Sequence, residues 1–447
     1  MWCRLNWFVV VVTAVAGMGS PLLAADLAAQ RQQNWHQWRG PDATGVAPAG
    51  DPPIAWSSTS NVKWQAEIPG QGKSSPIVWG ERIFLTTAIN TGKIDETAAK
   101  LEDQPERPFG IKFPNTLFRF VVLCLDRQTG KVLWEKTAVE ELPNEGHHGD
   151  NSHASASPFT DGQSLFVSFG SRGMYCYDLD GELRWKKTLE NVSTRLSFGE
   201  ASSPVAYGDV VVLDRDNESN SYILAMDAKT GETRWKIPRE EISAWATPLI
   251  VEQNGRTQVI TNASRKVRSY DLKSGELLWE CGGQVSNVTP SPVLFGQDVI
   301  CMSGYRGSAA LSIPIDATGD LTGSDKIAWK FERDTPYVPS PLLYGDRLFF
   351  NKLNSGILTC LDAKTGQPIM EATRLQDLSN IYASPVGAAD RIYFTGRDGT
   401  TVVLKRSSTV EVLATNKLDD QIDASPAIAG PQLFLRGQNH LYCLQNQ

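Results

Sequence analysis

One dipeptide recurs through most of this chain and constrains its fold more than any other feature. Ser-Pro or Thr-Pro begins at Ser75, Ser157, Ser203, Thr247, Ser291, Ser340, Ser384 and Ser425. Successive intervals are 82, 46, 44, 44, 49, 44 and 41 residues. Self-similarity at a period of roughly 40–50 residues marks a repeat architecture, in which each unit is one supersecondary element. Only the first interval is long, and residues 91–117 account for it as an insertion.

Each unit has the same plan. An apolar strand follows the proline, then a turn such as YGD or WGE, a second strand, a polar loop, and a third strand ending in CLD, AMD or SYD. A TG or SG turn leads into a fourth strand that usually carries tryptophan, as in CLDRQTGKVLW at 124–134 and AMDAKTGETRW at 225–235. Aspartate at 126, 227, 271 and 362 can accept turn N–H groups, and glycine four residues later permits a positive φ. Trp64, Trp134, Trp185, Trp235, Trp279 and Trp329 are then placed to pack between neighbouring sheets. Burial of one such ring removes roughly 150–250 Å² from water, an upper bound of ~4–6 kcal/mol. Pro368 falls in a fourth strand, which an outermost edge tolerates.

Eight such units predict an all-β, eight-bladed propeller of four-stranded antiparallel blades. The last unit ends after its third strand, at LYCLQNQ. The segment Asn61–Ile68 carries the missing tryptophan, Trp64, and is expected to complete blade 8 and close the ring. Cys124, Cys176, Cys360 and Cys443 share one third-strand slot with Ala225 and Ser269, which reads as a small buried site for unpaired thiols.

The chain has 447 residues and a net charge of −7, so clustered Lys and Arg against nucleic-acid phosphate are not expected. Residues 1–25 read as a secretory signal peptide, 26–60 as an N-terminal opening segment, and 61–447 as the propeller. Arg4 precedes an apolar core at 7–16, and no later apolar run is long enough to span a bilayer. The mature protein is expected to be soluble, monomeric, and periplasmic or extracellular.

The AxDxxTGxxxW pattern resembles the tryptophan-docking repeat of the pyrroloquinoline quinone (PQQ)-like propellers, over about residues 34–447. The opening NWHQWRGPDATGV at 34–46 is similar to the WxxWRGPxxxGV segment of exported members. That family includes eight-bladed quinoprotein dehydrogenases and the outer-membrane protein assembly factor. The dehydrogenases carry an adjacent Cys-Cys pair over their cofactor, and no two cysteines are adjacent here. The assembly factor is a lipoprotein, and Cys3 precedes the apolar core, where no lipid is attached. The resemblance therefore implies a non-catalytic exported scaffold with no cofactor. A PQQ-dependent dehydrogenase with calcium is the alternative.

In such blades the loops between strands two and three share a face with the crossings between blades. Blades 2 to 8 each place a basic residue in those loops: Arg172, Arg215, Arg265, Arg306, Lys352, Arg397 and Arg436. A ring of positive charge would attract an anionic ligand or an acidic segment of a cell-envelope protein. Trp245 in a crossing could stack on a planar ligand, and the 91–117 insertion reads as a lid over this face. The stretch HHGDNSH offers His147, His148, Asp150 and His153, residue types competent to bind zinc or copper. Its spacing matches no compact metal motif, so a polar crossing from blade 1 to blade 2 is expected. No GxSxG, HExxH or paired-carboxylate pattern points to hydrolysis.

Overall fold

The computed structural model describes Leu27 and residues 29–447, so the expected signal peptide lies outside the described residues. Eight antiparallel sheets follow one another around a central channel. Blade 1 comprises Ile77–Trp79, Arg82–Ile94, Thr116–Asp126 and Val132–Glu141, ordered from the inside outward. Blade 8 comprises Ala427–Ala429, Gln432–Arg436 and His440–Leu444, with Val62–Glu67 as its outermost strand. Trp64 pairs with Cys443 across that last ladder, so the two ends of the chain close the ring. The fold is the all-β propeller that the repeat predicts.

The repeat residues dock the blades. Each tryptophan indole donates to a backbone carbonyl of the following blade. Trp64 reaches Arg127 (3.0 Å), Trp134 reaches Leu179 (3.1 Å) and Trp185 reaches Ala228 (3.0 Å). Trp235, Trp279 and Trp329 reach Leu272, Ile315 and Ala363 in the same way. The turn glycine of that following blade lies under the indole ring. A Cβ at Gly130 would stand 2.5 Å from Trp64 Cε3, and one at Gly231 would stand 2.6 Å from Trp185 Cε3. Both glycines also hold φ above +70°. Glycine is therefore required twice over, by the backbone angle and by the ring above it. The turn aspartates act as expected: Asp126 Oδ1 accepts from the N–H groups of Gln128 (3.1 Å) and Thr129 (2.8 Å).

The small third-strand slot has a cross-strand cause. Cys124 lies opposite Trp134, Cys176 opposite Trp185, Ala225 opposite Trp235 and Ser269 opposite Trp279. A bulky residue there would collide with the docking ring. Among the described residues all six cysteines are buried and unpaired.

Two features depart from the plain repeat. Blade 4 has a fifth strand, Gly319–Asp320, which runs parallel to its outer strand at Trp279–Glu280. It comes from a long connection within blade 5 that folds back over the neighbouring edge, held by Lys266 to Asp320 (2.9 Å) and by buried Leu321. In blade 1 the insertion begins as a prolonged hairpin, with Ile94 paired to Thr116, before looping out over residues 95–115.

Candidate functional site

The Ser-Pro repeat builds a ring of hydroxyls around the channel. The backbone N–H of Ser75 donates to Ser157 Oγ (2.9 Å), and Ser157 N–H donates to Ser203 Oγ (2.9 Å). The chain continues through Thr247, Ser291, Ser340, Ser384 and Ser425 at 2.8–3.1 Å. One link is open: Ser75 Oγ is buried with no partner among the described residues. Proline follows each of these residues, and the carbonyls of Pro341 and Pro385 face the N-terminal opening segment.

The opening segment uses those carbonyls. Arg39 is 1% exposed inside the channel. Its guanidinium donates to the carbonyls of Pro385 (2.7 Å) and Pro341 (2.8 Å), in blades 7 and 6. Burial without a carboxylate lowers its pKa to about 9. Trp35 bridges to Val78 of blade 1 and Val46 to Gly387 of blade 7. Trp38 donates its indole N–H to Ser291 Oγ (3.0 Å), which ties this plug to the hydroxyl ring.

Above the plug lies a cavity of about 370 Å³, with Trp38 and the ring hydroxyls in its lining. Phe198, Trp245, Tyr305, Tyr337 and Tyr382 form its wall, each from a crossing or loop of the same face. Tyr305 and Tyr337 approach to 4.8 Å between centroids. Trp245 donates its indole N–H to the Gly199 carbonyl (2.7 Å), which fixes the ring's edge. Phe109, within the insertion, is 70% exposed and holds φ +59°. It packs edge-on against His148 (4.9 Å) and Phe198 (5.5 Å) at the rim. A bulky residue in the left-handed region is strained, and such strain collects at functional positions.

A charge network spans the mouth from blade 1 to blade 7. Asp150 accepts from Arg397 (2.6 Å) and from the Tyr382 hydroxyl (2.5 Å). Arg397 also reaches Asp423 (2.6 Å), which pairs with Lys73 (2.5 Å). Burial raises the Asp150 carboxyl pKa, but the Tyr382 and Arg397 hydrogen bonds outweigh it and hold the group below the usual carboxylate range. The two cations and two carboxylates cancel.

The family model described as "Outer membrane protein assembly factor BamB" matches residues 119–372, more than half of the chain. The chain belongs to this family. No curated protein matches it significantly. Among solved structures, BamB from Moraxella catarrhalis is similar at a TM-score of 0.57 and 12% identity, covering 86% of this chain and 97% of that one. Quinohemoprotein alcohol dehydrogenase from Comamonas testosteroni is similar at 0.62 and 10% identity, covering 94% and 84%. The computationally designed Ika8 protein is similar at 0.51 and 13%, covering 77% and 98%. At these identities the likeness is one of fold, shared by BamB and a dehydrogenase alike.

Within this BamB-family propeller, the seven loop cations do not make the positive ring expected from sequence. Arg215 and Arg436 are buried. Arg215 pairs with Glu200 (2.6 Å), and Arg436 donates to the Ser74 carbonyl (2.9 Å), tying blade 8 to blade 1. Arg172 pairs with Glu141 (2.9 Å), Lys352 with Asp334 (2.7 Å) and Arg397 with two aspartates. Arg265 and Arg306 are exposed, and Arg306 lies over the Tyr305 ring (5.3 Å). Acidic partners, which a count along the sequence cannot place, neutralise four of the seven cations, and Arg436 is held by a backbone carbonyl.

The histidines also have separate roles. His147 Nδ1 donates to the His148 carbonyl (2.8 Å), and His148 Nδ1 accepts from the Asp150 N–H (3.1 Å). His153 packs on Phe118 (5.2 Å) and His147 (4.6 Å), and burial lowers its pKa to about 3. Among the described residues, no group of three or more His, Cys, Asp or Glu converges as a metal site. His147, His148, Asp150 and His153 are held by hydrogen bonds and ring contacts within the crossing and to blade 7. Sequence reasoning missed Glu145, two residues before this stretch. It is buried and accepts from the Thr194 hydroxyl (2.5 Å) and N–H (3.2 Å) of the next crossing. Burial raises its pKa to about 7.

Proposed function

We propose that this chain is an exported, non-catalytic binding propeller, with its ligand or partner site on the face that carries the inter-blade crossings. The observation that carries this reading is the axial cavity itself. It is closed below by Arg39 and Trp38, walled by aromatic rings from several blades, and lined by charges committed to one another. Closed, largely pre-formed concave sites with a few convergent polar groups are the usual form of a ligand pocket. Among the described residues, no helix is long and apolar enough to cross a membrane, which accords with an exported protein acting in the periplasm or outside the cell.

The PQQ-dependent dehydrogenase is the second reading, favoured by the shared fold. PQQ is a tricarboxylate. The charged side chains lining the cavity are Lys73, Asp150 and Asp423, and Lys73 is already paired with Asp423. That donor set does not fit three carboxylates. A calcium ion would also have to displace Arg397 from both aspartates. The test is a titration of the purified mature protein with PQQ plus Ca²⁺, followed by tryptophan fluorescence and a dye-linked alcohol assay. No saturable quenching is expected. Micromolar quenching with dye reduction would replace the scaffold reading with the enzyme one.

A further inference from the structure

We infer that the axial cavity binds an uncharged saccharide unit; this rests on the binding-propeller reading and names its ligand class. Three independent features of the cavity point the same way.

The first is the hydroxyl ring. Ser157, Ser203, Thr247, Ser291, Ser384 and Ser425 line the cavity. Each accepts a backbone N–H from the preceding unit. Among the described residues, none of these hydroxyls donates to a protein group. A hydroxyl carries one donor and two acceptor positions. With an acceptor position filled from behind, the protons are left to turn toward the channel. The ring thus offers several convergent donors and no net charge.

The second is the wall. Trp245 has its indole N–H fixed by Gly199 and its ring only half-buried. Tyr337 and Tyr382 stand on other crossings around the same cavity. Aromatic faces carry the negative lobe of the ring quadrupole. The C–H face of a pyranose presents weakly positive hydrogens to such a surface, while its hydroxyl edge stays free for polar partners. A purely apolar planar ligand would cover the ring hydroxyls without pairing them, which opposes binding.

The third is charge. Lys73 and Arg397 balance Asp150 and Asp423 within one network. An anion or a cation entering the cavity would have to break a pair already made. A neutral sugar need not: its hydroxyls can donate to the remaining lone pairs of the two carboxylates and accept from the serine ring. The cavity of about 370 Å³ is in the ordinary size range for small-ligand sites.

The experiment is isothermal titration of the full mature chain with maltohexaose, cellohexaose and hexa-N-acetylchitohexaose, with hexagalacturonate as the anionic counterpart. Saturable binding of at least one neutral hexamer is expected, insensitive to added salt because no charge is neutralised. Hexagalacturonate should bind roughly tenfold more weakly than that hexamer, and Trp245→Ala should lose roughly tenfold in affinity. Tyr337→Ala and the exposed-site variant Phe109→Ala give second readings if Trp245→Ala fails to fold. No saturable binding of any neutral hexamer, tighter binding of hexagalacturonate, or affinities unchanged in all folded variants overturns the saccharide assignment. The PQQ plus Ca²⁺ titration separates the two failures. If neither sugar nor PQQ binds, only the ligand class is wrong. If PQQ binds and sugars do not, the non-catalytic reading fails with it.

Discussion

Replacing Gly130 by alanine places a methyl group 2.5 Å from Trp64 Cε3, at the junction where the N-terminal strand closes the ring. Two costs arise. Alanine at φ +71° costs roughly 1–2 kcal/mol for the left-handed backbone. Forcing the indole aside costs roughly another 1–3 kcal/mol as overpacking. Trp64→Ala alone removes a buried ring and its hydrogen bond to the Arg127 carbonyl, for roughly 3–5 kcal/mol. The double variant discriminates between the two causes. Without the indole, the Gly130→Ala methyl has room, and only the backbone cost remains. The double variant should therefore be more stable than the sum of the singles by roughly 1–3 kcal/mol. Guanidinium unfolding followed by far-UV circular dichroism reads all four proteins without relying on the lost tryptophan. Additivity within about 0.5 kcal/mol would refute the docking argument, leaving the φ angle as the sole reason for glycine.

Three further predictions concern the mouth. Glu145 has a carboxyl pKa raised from 4.5 to about 7 by burial, so the folded state binds more protons than the unfolded state within that window. Wild-type stability should fall relative to Glu145→Gln as pH rises from about 4.5 to about 7, by at most ~3 kcal/mol; a pH-independent difference between the two proteins would contradict this. Arg397→Met leaves Asp150 and Asp423 without their shared cation, an upper bound of roughly 3–5 kcal/mol. Amide exchange across residues 147–153 should accelerate in that variant, and unchanged exchange would show that the network does not hold the crossing. Ser203→Ala removes the acceptor for the Ser157 N–H and should cost roughly 1–3 kcal/mol in denaturant unfolding, whereas a loss below about 0.5 kcal/mol would mean that the ring is not structural.

The fold was legible because its determinants are local and repeated. The turn aspartate, the glycine four residues on and the tryptophan recur at fixed offsets, and each one's role follows from its own unit and the next. The closing strand was legible for the same reason, since Trp64 supplied what the last unit lacked. The fifth strand of blade 4 was not, because a single parallel pairing from an irregular connection leaves no periodic signal. Of the candidate site, only the placement of residues on this face was legible. Trp245 and the His147–His153 crossing lie at the mouth, but the charges there are decided by partners far apart in sequence, such as Asp150 with Arg397 and Lys73 with Asp423. Counting cations along the loops overstated the positive field because it could not count their carboxylates. Glu145 carried no signal at all: one acidic residue in a polar loop looks like any other until burial and Thr194 are seen.

The plug holds the ring independently of the face that carries the crossings. Arg39 binds carbonyls from blades 6 and 7, Trp35 pairs with blade 1, Trp38 meets a hydroxyl of blade 5, and Val62–Glu67 completes blade 8. A single N-terminal stretch thus locks the ring along its axis and around its circumference. The contacts that hold the blades together use the docking tryptophans, the turn glycines, the hydroxyl ring and this plug. None of them depends on which side chains the crossings project above the ring. Phe198, Trp245, Tyr337 and Tyr382 lie outside the blade-docking contacts that Gly130, Trp64 and Arg39 make. The crossings are therefore the part of this face whose side chains can vary while the ring stays closed.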